Sequence, residues 1–171
     1  MARDLIIGGV VVTQDSRITV EQTFNNISAI NNRRLANGSL VSRNTWHGKL
    51  STEITGTGYI PVGLVNLDFT QTQVVSCIAP KAVTQNTNVV TLPTDRRTDT
   101  GSLPYARALV SGKWQSAASS LVGDDLTITD PGGATQFQGV YFPEITCMVQ
   151  EPREGLNIGT GFNWSITAEQ I

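Results

Sequence analysis

Residues 33–61 read RRLANGSLVSRNTWHGKLSTEITGTGYIP, and from Leu50 onward the side chains change character at every second position. Leu50, Thr52 and Ile54 fall on one side of an extended chain, while Lys49, Ser51, Glu53 and Thr55 fall on the other. A pleated strand sustains a period of two, whereas a helix scatters such residues around its circumference. Asn37-Gly38 and His47-Gly48 each offer a two-residue loop whose Gly tolerates the positive φ of a hairpin turn. The segment therefore predicts three antiparallel strands in a meander. Gly56, Gly58 and the Ile60-Pro61 step close it, because Gly weakens a strand and Pro lacks the ladder donor.

Residues 5–12 are rich in β-branched side chains and predict one strand, with a second over 18–23 after a turn at Asp15-Ser16. Residues 24–32 are interrupted by Asn25-Asn26 and Asn31-Asn32, which leaves a helical turn, a loop or a strand open. Residues 63–69 suggest a covering loop, and residues 73–79 and 88–92 suggest short strands. Ser111-Gly112 predicts a hairpin turn with Trp114 on the returning strand. Leu126 and Ile128 alternate with Thr127 and Thr129 before a turn at residues 130–133. Val140, Phe142, Ile145, Cys147 and Val149 point inward if Pro143 marks a bulge, and Phe162, Trp164, Ile166 and Ala168 share one face of a last strand.

No helical periodicity of ordinary length and no dividing linker stands out. About ten short strands with turn signals between them predict an all-β fold, an antiparallel β-sandwich or barrel with long connecting loops. The 171 residues suit a single all-β domain, and such a chain buries roughly two-thirds of its unfolded surface. Residues 93–104 and 151–161 are polar and bounded by Pro or Gly, so they read as extended loops, candidate arms reaching other subunits.

Charge narrows the function classes. Charged residues make up 15% of the chain and the net charge is −2, without the clustered cations that neutralising phosphates requires. Arg33-Arg34 and Arg96-Arg97 are the dense cationic spots, and the second lies between Asp95 and Asp99, where local ion pairing accounts for it. Nucleic acid is thus not expected as a partner. Abundant Thr, Ser, Asn and Gln favour contact with protein, since interface centres are depleted in charge. The N-terminal apolar run is broken by Gly8-Gly9, too short to span a bilayer and without a cleavage site, so no membrane partner is expected and folding in a cytoplasm is.

Candidate chemistry is sparse. A hydrolytic triad needs an oriented base, and the single histidine, His47, is expected at a turn tip. Asp124, Asp125 and Asp130, or Glu144 with Glu151, offer carboxylates for acid–base work or calcium, but the register of a calcium loop is missing. Gly8-Gly9 lacks the spacing of a nucleotide loop. Cys77 and Cys147 match no zinc spacing and read as buried thiols, with a disulfide left open. Trp46, Tyr59, Trp114, Trp164, Tyr105 and Tyr141 are candidates for a sugar platform, although strand-phased aromatics more often serve core or interface. No catalytic residue, cofactor, metal or small-molecule substrate is expected.

The run from Glu21-Gln22-Thr23-Phe24 through Arg34-Leu35, Asn37-Gly38-Ser39, Trp46, Lys49-Leu50 and residues 56–61 to Leu67-Asp68-Phe69 resembles short virion proteins in the tail modules of tailed bacteriophages. Arg96-Arg97-Thr98-Asp99, Tyr105, Tyr141-Phe142-Pro143 and residues 164–169 are similar in order to the rest of such proteins. The resemblance implies a non-enzymatic structural subunit of the tail or baseplate, located in the virion after assembly in the host cytoplasm. Its implied partners are identical subunits in a symmetric ring and other virion proteins. It carries over no active-site residues. Asp95, Arg96, Arg97, Asp99, Arg153 and Glu154, in the two candidate arms, are the expected interface residues, and the alternative is a module that recognises a ligand or host glycan through Trp46, Tyr59 or Trp114.

Overall fold

The computed structural model describes residues 3–12, 19–59, 61–159 and 161–171; the expected Asp15-Ser16 turn, the first residue of the 18–23 strand and Ile60 lie outside them. The described residues contain no helix and form fifteen strands. In chain order these are β1 (Leu5–Ile7), β2 (Val10–Val12), β3 (Thr19–Arg34), β4 (Leu40–Gly58), β5 (Thr72–Ser76), β6 (Lys81–Gln85), β7 (Val89–Thr91), β8 (Tyr105–Val110), β9 (Lys113–Ala117), β10 (Ser119–Val122), β11 (Asp125–Ile128), β12 (Ala134–Tyr141), β13 (Glu144–Val149), β14 (Arg153–Asn157) and β15 (Gly161–Gln170). The pairings are antiparallel and no sheet closes into a barrel among the described residues, so the expected all-β class holds in its sandwich form. Contacts gather into two compact units, Met1–Val11 with Val74–Ile145 and Val12–Gln73 with Thr146–Ile171.

In the first unit, a four-stranded sheet β6-β12-β8-β9 and a three-stranded sheet β10-β11-β7 bury their apolar faces in one cluster. Val90, Leu92, Leu126 and Ile128 come from one layer and its flank, Ala106, Ala108, Phe137 and Tyr141 from the other. This is the alternation read from Leu126 and Ile128, with Thr127 left exposed. β8 and β9 turn through Ser111 and Gly112 with φ of 50° and 76°, the two left-handed residues of the hairpin turn expected there. Asp130 Oδ1 accepts the backbone N–H groups of Gly132 and Ala134, fixing the turn into β12.

The second unit is built on the neighbouring pairs β13-β15, β15-β4 and β4-β3, with β14 also on β15. Thr52 and Ile54 of β4, Trp164, Ile166 and Ala168 of β15, and Cys147 and Val149 of β13 are buried. Trp164 pairs with Gly56, and a Cβ added at Gly56 would lie 2.2 Å from the indole Cζ2, so only a glycine lets the ring lie against β4. Buried Thr52 is satisfied by donating to the Thr23 carbonyl at 2.8 Å and accepting from Gln22 Nε2 at 3.0 Å.

Several expectations are corrected. Residues 5–12 are two strands, because Gly8 and Gly9 both take positive φ and turn the chain between β1 and β2. His47-Gly48 is no turn: it sits inside β4, where Ile27 pairs with Lys49 and Ala29 with Trp46, so both residues oppose Ser28 in a bulge. A second extra residue, Thr45, lies where Ala29 pairs with Trp46 and Ile30 with Asn44. The meander is therefore one long hairpin, and residues 24–32 are strand. Pro143 separates β12 from β13 rather than bulging one strand, yet Val140, Phe142, Ile145, Cys147 and Val149 are all buried as expected. Residues 151–161 hold a strand, β14, hydrogen-bonded to β15, in place of a free arm. Residues 93–104 are pinned as well, since Arg97 is 3% exposed and Ser102 fully buried. Cys77 and Cys147 are both buried thiols.

Overpacking at the glycine under Trp164 should be felt by the whole protein. Gly56→Ala is expected to lower stability by about 2 kcal/mol and Tm by about 6 °C. Combining it with Trp164→Leu should cost less than the sum of the two single changes, as read by thermal unfolding in a double-mutant cycle.

Candidate functional site

Most of the anticipated charged residues are engaged within the chain. Arg97 Nη1 donates to the carbonyls of Asp4 at 2.7 Å, Cys77 at 3.2 Å and Ser76 at 3.4 Å, while Nε donates to Asp99 Oδ1 at 2.8 Å. Arg96 pairs with Asp124 at 2.8 Å and its Nη2 donates to the Gly123 carbonyl at 2.8 Å. The Asp95 carbonyl accepts the Glu144 N–H, and Glu144 Oε2 accepts the Ser76 hydroxyl at 2.8 Å. These bonds tie the 93–104 loop and the chain's first residues to the first unit. Asp125 accepts the Thr91 hydroxyl at 2.7 Å and Asp130 holds its own turn, so Asp124, Asp125 and Asp130 serve separate local roles. Among the described residues no three His, Cys, Asp or Glu side chains gather where a metal would sit.

Arg153 and Glu154 are exposed on β14 and line a shallow groove of about 640 Å³ with Thr19, Glu21, Thr55 and Asn163. The aromatic residues considered for a sugar platform are divided: Tyr105, Trp114 and Tyr141 belong to the first unit and Trp46, Tyr59 and Trp164 to the second, with Tyr141 and Trp164 buried. Trp46 and Tyr59 are 13 positions apart along and just beyond β4, a distance of about 40 Å at the rise of a strand.

The feature missed by sequence reasoning is the far half of the β3–β4 hairpin. Every residue from Ile30 to Gly48 is exposed, so beyond the pair Ile27–Lys49 the two strands continue for roughly 23 Å with solvent on both faces. The tip is a tight turn in which Gly38 N–H donates to the Leu35 carbonyl, Leu35 N–H to the Ser39 carbonyl, and Asn37 Oδ1 accepts Ser39 N–H. Gly38 holds a φ of +82°, so a turn does stand at Asn37-Gly38, but Leu35 N–H closes on the Ser39 carbonyl and leaves a three-residue loop, Ala36 to Gly38, in place of the two-residue loop expected.

This arm is unusual in chemistry as well as shape. Ile30, Leu35, Leu40, Val41 and Trp46 are 45–58% exposed along it. Cross-strand partners point the same way, so the register puts Trp46, Arg43, Arg33 and Val41 on one face and Ile30, Arg34 and Leu40 on the other. Between Glu21 and Glu53 the chain carries Arg33, Arg34, Arg43 and Lys49 and no acid. Scattered apolar side chains on a surface are ordinary; five on one two-stranded ribbon with no layer behind them mark an interaction surface. The available signal was the acid-free run itself, which the alternation pattern alone does not reveal.

The Arg97 hydrogen bond, with Asp99 partly desolvated against it, holds the Asp99 carboxyl below its usual 3.8. A depressed folded-state value contributes stability above the unfolded value, lost as pH falls through the folded one, so the effect lies below pH 3.8. Asp99→Asn should lower neutral stability modestly and flatten the acid limb of a denaturant stability profile, because the charge-assisted bond from Arg97 that it removes operates only where the carboxyl is ionised. Arg97→Met leaves the Asp4, Ser76 and Cys77 carbonyls without this donor, and denaturant unfolding at neutral pH should show a loss of about 3 kcal/mol.

No protein-family model, curated protein or solved structure matches this chain.

Proposed function

We propose that this protein is a structural, non-catalytic subunit of a tailed-bacteriophage virion, in its tail or baseplate, and that it assembles through the β3–β4 arm. The observation that carries the reading is the ribbon from Ile30 to Gly48, exposed on both faces and bearing Ile30, Leu35, Leu40, Val41 and Trp46. An isolated two-stranded ribbon is marginally stable in water, and large apolar side chains on it gain most when a partner covers them. A sheet in the second unit that continues into a two-stranded arm suits a role in which contact, rather than turnover, is the output. The resemblance in turn and strand residues to short tail-module proteins is what supports reading that role within a phage particle.

Light scattering on the purified chain should give a mass that is a multiple of 18.4 kDa, or assembly upon mixing with companion tail proteins. Replacing residues 28–48 by Asn-Gly joins Ile27 to Lys49 through a two-residue turn, and it should leave the thermal transition intact while abolishing assembly. A shortened chain that still assembles overturns the role of the arm. Absence of the chain from purified particles, by peptide mass spectrometry, overturns the virion reading.

A further inference from the structure

The arm concentrates positive charge, and the remainder of the same chain is the opposite. Removing Arg33, Arg34, Arg43 and Lys49 from the total leaves eight cations against fourteen acids, a net charge of −6. Lys49 donates to the Ile171 carbonyl and Arg34 to that of Gly38, whereas the guanidinium groups of Arg33 and Arg43 have no hydrogen-bond or ion-pair partner among the described residues. A complementary surface exists in the second unit. A groove of about 510 Å³ is lined by Phe69, Met148, Gln150, Glu151, Arg153 and Glu169. Glu169 pairs with Met148 across β13 and β15, so carboxylate and thioether leave the sheet on one side, and Met148 is 41% exposed. Neither Glu151 nor Glu169 has an ion-pair partner among the described residues, and Arg153 is the single cation lining the groove.

We propose that this groove receives the arm of a second copy of the chain. Trp46 seats between Phe69 and Met148, and Arg43 and Arg33, on the same arm face, lie beside Glu151 and Glu169. An indole against a ring and a thioether buries a large apolar area, the composition of a binding hot spot, and flanking opposite charges fix its register. The exposed Ile30, Leu40 and Val41 favour a protein occupant over a nucleic acid, whose backbone offers no aliphatic surface to cover them. Donor and receiver are different patches of one chain, so the contact is either exchanged reciprocally in a two-fold dimer or runs head-to-tail into a ring or an open filament. The inference rests on the arm-mediated assembly proposed above and adds the identity of the receiving site.

Charge reversal on the full chain tests it. The variants R33E/R43E and E151R/E169R alter exposed side chains, so both should keep the wild-type thermal transition. Each alone should self-associate at least about tenfold more weakly in sedimentation velocity, because like charges then face each other. Mixing the two should restore assembly, since each arm then meets a groove of opposite sign. Trp46→Ala should weaken association to a similar degree. Unchanged assembly in either reversed variant, or no restoration on mixing, overturns the proposal. So does a monomeric wild-type chain whose arm instead binds duplex or single-stranded DNA and loses that binding in R33E/R43E. If shortening the arm dissociates the assembly but charge reversal does not, the groove assignment alone fails; if the shortened chain stays assembled, the underlying reading fails first.

Discussion

Strand β4 needs hydrogen-bonding partners on two edges, and it finds both for only part of its length. From Ser51 to Thr57 it lies between β3 and β15, with Trp164 packed on Gly56 and Ile54, Ile166 and Ala168 buried beside it. From Leu40 to Leu50 it pairs with β3 alone. The second unit is a sheet where three strands run together and a ribbon where two do. That difference in strand length, rather than any loop, produces the arm. Burial stabilises one half, while backbone hydrogen bonds and the Asn37-Gly38 turn are what hold the other.

The first unit solves a different problem. Its two small sheets bury Val90, Leu126, Ile128, Phe137 and Tyr141 between them, and the loop before β8 is drawn in by Arg97. A guanidinium with five donors satisfies three backbone carbonyls and one carboxylate at once, which a lysine has neither the donors nor the geometry to do. Tyr141 has its hydroxyl pushed upward by burial and by the charge of Asp95, so it stays neutral at the margin of the same cluster.

Where a physical signal was local, the sequence was readable. Ser111-Gly112, residues 130–133, Leu126 with Ile128 and the even positions from 162 to 168 each depend on a turn or a pleat defined within a few residues. Two kinds of information were not local. His47-Gly48 carries the same left-handed glycine in a bulge as in a hairpin turn, and only the pairing of Ile27 with Lys49 distinguishes them. Arg96-Arg97 between two aspartates looks like an exposed ion-pair cluster, and its burial is set by carbonyls some 20 and 90 positions away. The arm was illegible for a related reason: alternation reports a strand, but not whether a second layer exists to cover it.

The two bulges in β4 bear on how any neighbour is met. Insertion of Thr45 and of the His47-Gly48 step breaks the even spacing of amide donors and carbonyl acceptors along the uncovered rim of the ribbon, and it adds local twist. A flat, regular rim would template strand after strand and drive the chain toward fibrils. This irregular one refuses such annealing, so recognition is left to side chains, whose shape and sign can discriminate one docking partner from another.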